Sequence, residues 1–273
     1  MKKKQWLLIP LCLVLLVAAY FLLRSRIPQR WYTADELGIS QQQSALDADG
    51  DGMDDWTDMV LGARSYIATN PHYESKYYAG GYPDDGLGVC TDVIWQAFRA
   101  AGYSLKDLVD ADIAAHPECY PNIETPDGNI DFRRVSNLDT FFRRHAQVLT
   151  CDLDDPAQWQ PGDIVIFGDR DHIAICSDRR NRRGIPFIIH HGNPIDEAVE
   201  RNDIYRQPVT GHFRWMGEAG FCKKVSGFHR ENEKFSCIFR CAVLLYFSIP
   251  HRGGLSVGAA RLAGGRKLLE ATN

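Results

Sequence analysis

The apolar residues of this chain change period once, and that change restricts the fold more than any other feature. As far as Val148 they recur every three or four residues, the spacing of a helix with one buried face. Val93, Ile94, Ala97, Phe98 and Ala101 form such a stripe, which predicts a helix over Val89–Ala101 stopped by Gly102. Trp56, Val60 and Ala63 mark a shorter helix, and Leu105–Ala115 and Asn137–Val148 read as two more. From Asp163 onward the apolar residues come in short β-rich runs between charged turns: Asp163–Phe167, His172–Cys176, Pro186–His191 and Thr210–Trp215. Helices first and strands afterwards predict an α+β domain, with N-terminal helices packed on an antiparallel sheet.

The ends of the chain differ from this middle. Lys2, Lys3 and Lys4 precede an apolar run from Trp6 to Leu23, and Arg24 and Arg26 follow it. Roughly 18 apolar residues can just span a bilayer as a helix. The leading lysines favour a cytoplasmic N-terminus, so the expectation is a single-pass, uncleaved anchor in the cell membrane with all else extracytoplasmic. Val17-Ala18-Ala19 offers a rival cleavage site, but cutting there leaves apolar Tyr20 to Leu23 at the new terminus. The chain therefore divides into a transmembrane segment (1–26), a polar stalk (27–46), a loop with a short helix (47–65), the α+β domain (66–215) and a tail (216–273). In the tail the composition shifts, and no repeat of the domain is found. A net charge of −4 argues against nucleic acid as a partner, which normally calls for a basic surface. The 8 cysteines show no CxxC spacing, so neither a zinc cluster nor a disulfide scaffold is suggested.

One cysteine is placed for chemistry. Cys90 opens the Val89–Ala101 helix, where free backbone N–H groups and the helix dipole favour a thiolate and predict a lowered pKa. His172 opens a strand just after the turn Gly168 to Asp171. A neutral imidazole there can take the thiol proton. A third polar group would orient that imidazole. His190 and His191 end the next apolar strand, and strand alternation sends them to opposite faces, so only one of them can meet His172.

Several blocks of sequence, in order, resemble a known family. These are Gly88-Val89-Cys90-Thr91-Asp92-Val93, Asn129 to Leu138, Pro161-Gly162-Asp163-Ile164-Val165, Asp171-His172-Ile173-Ala174-Ile175, Ile189-His190 and Thr210-Gly211-His212-Phe213-Arg214-Trp215. They are similar to an uncharacterised bacterial family, a domain of unknown function grouped with NlpC-like cysteine peptidases and amidases of papain fold. The resemblance spans roughly Leu61 to Trp215. It implies a papain-like NlpC-type fold and a triad of Cys90, His172 and His190, although His191 stands where the family usually has Asn. It also implies hydrolysis of an amide bond, with cell-wall peptidoglycan peptides as substrate. Asp92, Arg134 and Tyr82 are the accompanying candidates for substrate binding, against structural roles in a helix cap, salt bridges and aromatic packing. The rival readings are a catalytically silent, calcium-braced wall-binding module, a transacylase using the same triad, and a zinc site made by Cys90, His172 and His190.

A separate motif precedes the domain. Asp47, Asp49, Asp51, Asp55 and Asp58 occupy the first, third, fifth, ninth and twelfth positions of a calcium loop, with Gly52 sixth and the Met53 carbonyl seventh. The expected cofactor is a structural calcium ion, bracing the junction of stalk and domain. Asp58 replaces the longer glutamate usual at the twelfth position.

Overall fold

The computed structural model describes residues 29–192 and 198–217, together with Cys12, Val14, Leu16 and Val17, which are helical and exposed. The expected membrane span lies almost wholly outside the described residues, and so does the tail from 218 on. Among the described residues no helix is long and apolar enough to cross a membrane.

Four helices precede most of the sheet. Helix α1 (Asp55–Ala68) starts where the Asp54 side chain accepts the Trp56 and Thr57 N–H groups, satisfying two donors that no helical carbonyl can reach. Helix α2 (Cys90–Ala100) buries Val93, Ile94, Ala97 and Phe98 completely, the predicted stripe. The two helices touch at Gly62, where any Cβ would run into Ala100 and the Gln96 carbonyl, so glycine sets their separation. Helix α3 (Leu105–Ala115) is capped by Ser104, whose Oγ accepts the Asp107 N–H. Helix α4 (Val135–His145) ends earlier than its apolar pattern predicts. Ala146 turns extended, and strand β3 (Gln147–Val148) pairs with residues far along the chain. No glycine or proline marks that break, because the competing partner exists only in the folded state.

The sheet is antiparallel throughout. Beyond β3 it comprises β4 (Ile164–Phe167), β5 (His172–Arg180), β6 (Pro186–His191), β7 (Ala198–Arg201) and β8 (Val209–Arg214), in the order β3-β8-β4-β5-β6-β7. Strand β5 runs four residues beyond the predicted His172–Cys176, with a register shift between Cys176 and Arg180. Alternation assigns the faces. Ile164, Ile166, Ile173, Ile175, Ile189 and Phe213 pack with the helices. Val165, Ala174, Cys176 and Ile188 look the other way, toward Trp159 and Ile204. A two-residue parallel pair, β1 (His72–Tyr73) with β2 (Leu87–Gly88), lies in the otherwise irregular stretch before α2. The architecture is thus α+β with helices on an antiparallel sheet.

The expected stalk is not a free linker over its described part. Tyr32 exchanges backbone hydrogen bonds of 2.9 Å with Arg180 of β5, and the Gln42 N–H donates to Gln160 Oε1 at 2.9 Å. The segment looked like a linker in the sequence because Arg180 and Gln160, which bond its backbone, are more than a hundred residues away.

Candidate functional site

The local chain explains how Cys90 is held. Val89 is extended, and its N–H donates to Asp92 Oδ2 at 2.7 Å while its carbonyl accepts the Asp92 N–H at 3.0 Å. Gly88 carries no side chain because a Cβ there would collide with the Tyr66 hydroxyl. The helix N-terminus therefore sits tight against α1. The backbone N–H groups of Ile173, the residue after His172, of Thr91 and of Cys90 itself favour the charged form of the sulfur.

Burial nevertheless reverses the expected acidity. Cys90 is 6% exposed, and desolvation pushes its thiol up to about 11; the nearby Asp92 carboxylate adds to this, and the three N–H groups offset only part. The same cause acts on the imidazole. Burial, with help from His190 and His191, brings His172 down to about 3. Both groups rest uncharged at neutral pH, so the lowered thiol pKa read from the helix start does not hold.

His172 and His190 meet. His172 Nε2 and His190 Nδ1 lie 2.9 Å apart with rings nearly perpendicular, sharing one proton between them. This leaves His172 Nδ1 as its remaining nitrogen. His191 goes elsewhere, as strand alternation requires: its Nδ1 lies 3.2 Å from the Tyr66 hydroxyl, and its ring stands edge-on to Tyr66 and Tyr73. Of the two neighbouring histidines, His190 is the one against His172.

Asp203 continues the line and was missed in the sequence. Its Oδ2 is 3.5 Å from His190 Nε2, and Arg206 Nε is 3.2 Å from its Oδ1. Burial raises the Asp203 carboxyl, but His190, Arg206 and Arg201 outweigh it and hold the acid below its usual range. At 3.5 Å the His190–Asp203 contact is long for a hydrogen bond, and both facing atoms are otherwise without a partner. Asp203 follows a four-residue edge strand with no apolar periodicity, so no local signal points to it. A cleft of roughly 210 Å³ opens on this line, with Tyr73, Phe167, His172, His190, Asp203 and Gln207 on its walls. Cys90 does not line it. Tyr73 does, and it is near enough to Cys90 for a thiolate to oppose ionisation of its hydroxyl, after the larger effect of burial.

The predicted substrate-binding residues lie apart from this cleft. Asp92 is 1% exposed and fully engaged: Arg133 Nε and a terminal nitrogen donate at 2.8 and 2.9 Å, Trp95 Nε1 at 2.7 Å, and the Val89 N–H completes the set. With both oxygens occupied, it holds the start of α2 in place instead of meeting a ligand. Arg134 is exposed at the N-terminus of α4. Tyr82 packs on Trp95 and Phe132, ring centres 4.8 and 5.3 Å away, in a second groove with Arg99, Tyr103 and Leu105.

Among the described residues, the one set of three or more His, Cys, Asp or Glu side chains close enough to share an ion is Asp47, Asp49 and Asp51. Cys90, His172 and His190 do not converge in that way, which removes the zinc reading. Asp55, expected at the ninth calcium position, is committed to other partners: it accepts the Ala48 N–H at 2.9 Å and the Tyr103 hydroxyl at 2.5 Å. Asp58 is buried, and its carboxyl is raised to about 6, first by burial and then by Asp51, Asp49, Asp54 and Asp47.

Comparison with known proteins gives a family without an activity. The chain is 35% identical over 165 residues to "Uncharacterized protein YijF" of Escherichia coli (strain K12), covering 57% of this chain and 79% of that one. No solved structure matches. The family model described as "Domain of unknown function (DUF1287)" matches residues 60–215, which include Cys90, His172, His190 and Asp203, and the chain belongs to that family.

Proposed function

We propose that the domain is an NlpC-like, papain-type cysteine hydrolase that cleaves an amide bond in cell-wall peptides, held at the outer face of the membrane by its N-terminal segment. The observation that carries this reading is the row of groups at one end of the sheet. The Ile173 N–H, next to His172, favours the ionised form of the helix-start thiol, His172 is bonded to His190, and His190 faces Asp203 beside an open cleft.

Each residue has a defined task. As the Cys90 sulfur attacks the amide carbonyl carbon, its proton passes to His172, and a carbon–sulfur bond forms. Because both groups rest neutral, transfer accompanies attack, in contrast to a preformed thiolate–imidazolium pair. The Cys90 and Thr91 N–H groups, which favour a charged sulfur in the resting site, turn to the oxyanion as it forms. His172 then protonates the departing amine nitrogen as the carbon–nitrogen bond breaks, leaving a thioester. Water, deprotonated by His172, adds to the thioester carbonyl; the carbon–sulfur bond breaks, the thiolate recovers its proton, and a carboxylic acid leaves. His190 holds the His172 ring, and Asp203 stabilises the charge that develops across the two imidazoles.

The test is incubation of the full-length protein with purified peptidoglycan, with chromatography of the released peptides. Wild type should release products with new carboxyl and amino termini, and Cys90→Ala should release none. Equal release by both proteins would exclude Cys90 as the nucleophile, and binding without release by either would leave a silent wall-binding module.

A further inference from the structure

We infer that the arginine-bearing hairpin between β5 and β6 docks on the surface of an anionic phospholipid bilayer and so sets which way the cleft faces. The inference rests on the membrane attachment proposed above. It does not rest on the hydrolase chemistry, because Arg179, Arg182 and Arg183 do not line the cleft.

The place where the chain joins the domain is the first observation. Leu23 ends the apolar run, and by Gln29 the chain is already fixed. Gln29 Oε1 accepts the Asn202 N–H at 2.8 Å, and Tyr32 exchanges its backbone bonds with Arg180. Six residues reach at most about 20 Å when fully extended. The far end of β5 is therefore tied close to the bilayer.

The charge gathered at that end is the second. Arg30, Arg182 and Arg183 are exposed, and Arg179 lies 5.0 Å from the centre of the exposed Trp31 ring. An arginine beside a tryptophan suits the headgroup layer, where one part of the pair is apolar and the other charged. The acids in contact neutralise part of this charge. Glu200 is shared by Arg64 and Arg179, Arg64 also holds Asp178, and Asp154 reaches Arg183 only at 3.8 Å with both groups exposed.

Beneath the hairpin lies a cation with no carboxylate in contact among the described residues. Arg180 is fully buried, and its terminal nitrogens donate to the Trp159, Gly184 and Pro156 carbonyls at 2.6, 2.7 and 3.1 Å, while its Nε has no partner. A buried charge without a counter-ion is costly, and an anionic surface across the turn offsets that cost. The turn itself is firm. The Asn181 N–H donates to the Ile185 carbonyl at 2.8 Å, the Gly184 N–H to the Asn181 carbonyl at 2.9 Å, and the Arg183 N–H to Asn181 Oδ1 at 2.8 Å. Arg182 and Arg183 are thus carried on a tip that needs little ordering to dock. His172 opens β5 and Arg180 ends it, so the cleft lies about 25 Å along the strand from the docked end, at about 3.3 Å per residue. Docking turns the cleft away from the bilayer, toward the wall.

The test places the full-length chain in nanodiscs of phosphatidylcholine, with or without one-third phosphatidylglycerol. A fluorescent amino acid stands at Thr33, next to Tyr32, or at Asp171, at the cleft end, and energy transfer to a headgroup-bound acceptor reports the height of each. Transfer from Asp171 should fall at least twofold when phosphatidylglycerol is present and recover in 0.5 M NaCl, while transfer from Thr33 stays high. Exchanging both tip arginines, Arg182→Glu with Arg183→Glu, should abolish the lipid response and leave Tm within about a degree of wild type. An Asp171 signal that ignores lipid charge, or a double variant that responds as wild type does, would overturn the docking and leave the anchor in place. A chain washed from liposomes by alkaline carbonate would instead remove the anchor, and this inference with it. A response that grows with the number of chains per disc would make a second copy the occupant and overturn the lipid assignment.

Discussion

Two buried histidine–aspartate pairs take their histidines from the same sheet, and they are built to different ends. In the first, His212 Nε2 lies 2.9 Å from Asp163 Oδ2 while its Nδ1 lies 2.6 Å from the Thr150 carbonyl. Arg214 adds two donors to Asp163 at 2.7 and 2.8 Å, and Trp159 stacks on the His212 ring at 3.8 Å. Both residues are fully buried, and every polar atom of the pair has a partner. In the second, His190 and Asp203 are 3.5 Å apart, with facing atoms that lack other partners, and both border a cleft. A saturated buried network specifies structure, because each member is already committed. An incompletely bonded one beside open space keeps capacity for a substrate or a moving proton.

Mutation should separate the two centres by kind of effect. The largest change is expected for His172→Ala, which should lower peptide release about 10³-fold or more while the unfolding free energy moves by about 1 kcal/mol or less. An activity loss matched by loss of fold would erase the contrast. Asp163→Ala should do the reverse, costing about 3–5 kcal/mol in urea titration because it strands buried Arg214 and His212. His190→Ala should reduce turnover by roughly 10- to 100-fold, as expected for a group that orients a catalytic ring. Asp203→Asn should have a smaller effect on turnover and change stability by less than about 1 kcal/mol; a penalty as large as that of Asp163→Ala would make the two centres equivalent.

The smallest effects concern protons. His172 stays neutral in the fold down to about 3, whereas the unfolded chain takes up a proton below its ordinary 6.5. The unfolded state therefore binds more protons between those values, and stability falls as pH drops through that window. Replacing His172 by Asn should flatten this slope in denaturant titrations at pH 6.5 and pH 4. With its thiol near 11, native Cys90 should react with iodoacetamide at pH 8 at least tenfold more slowly than the same residue in urea. Rapid native alkylation below pH 8 would show that the helix N-terminus, not burial, governs the sulfur.

Much of this protein could be read along the chain, where neighbours in sequence decide the outcome. Period alone located α2, α3 and the heads of β4, β5 and β6, because the buried face of a helix or strand is written at fixed spacing. The same rule sent His190 and His191 to opposite faces. The match of blocks named Cys90, His172 and His190 as candidates, and the family matched over residues 60–215 contains them. Folding in three dimensions decided the remainder. Which histidine meets His172, whether Asp92 is free, and where Asp55 points depend on Tyr66, Arg133 and Tyr103, which are distant in sequence from the groups they engage. Helix α4 gave way to β3 because β8 offered backbone partners. The acidity of Cys90 shows the division most clearly. Its place at a helix start is a local fact and favours charge, but desolvation depends on everything packed around the sulfur, and a low-dielectric surrounding outweighs three N–H groups.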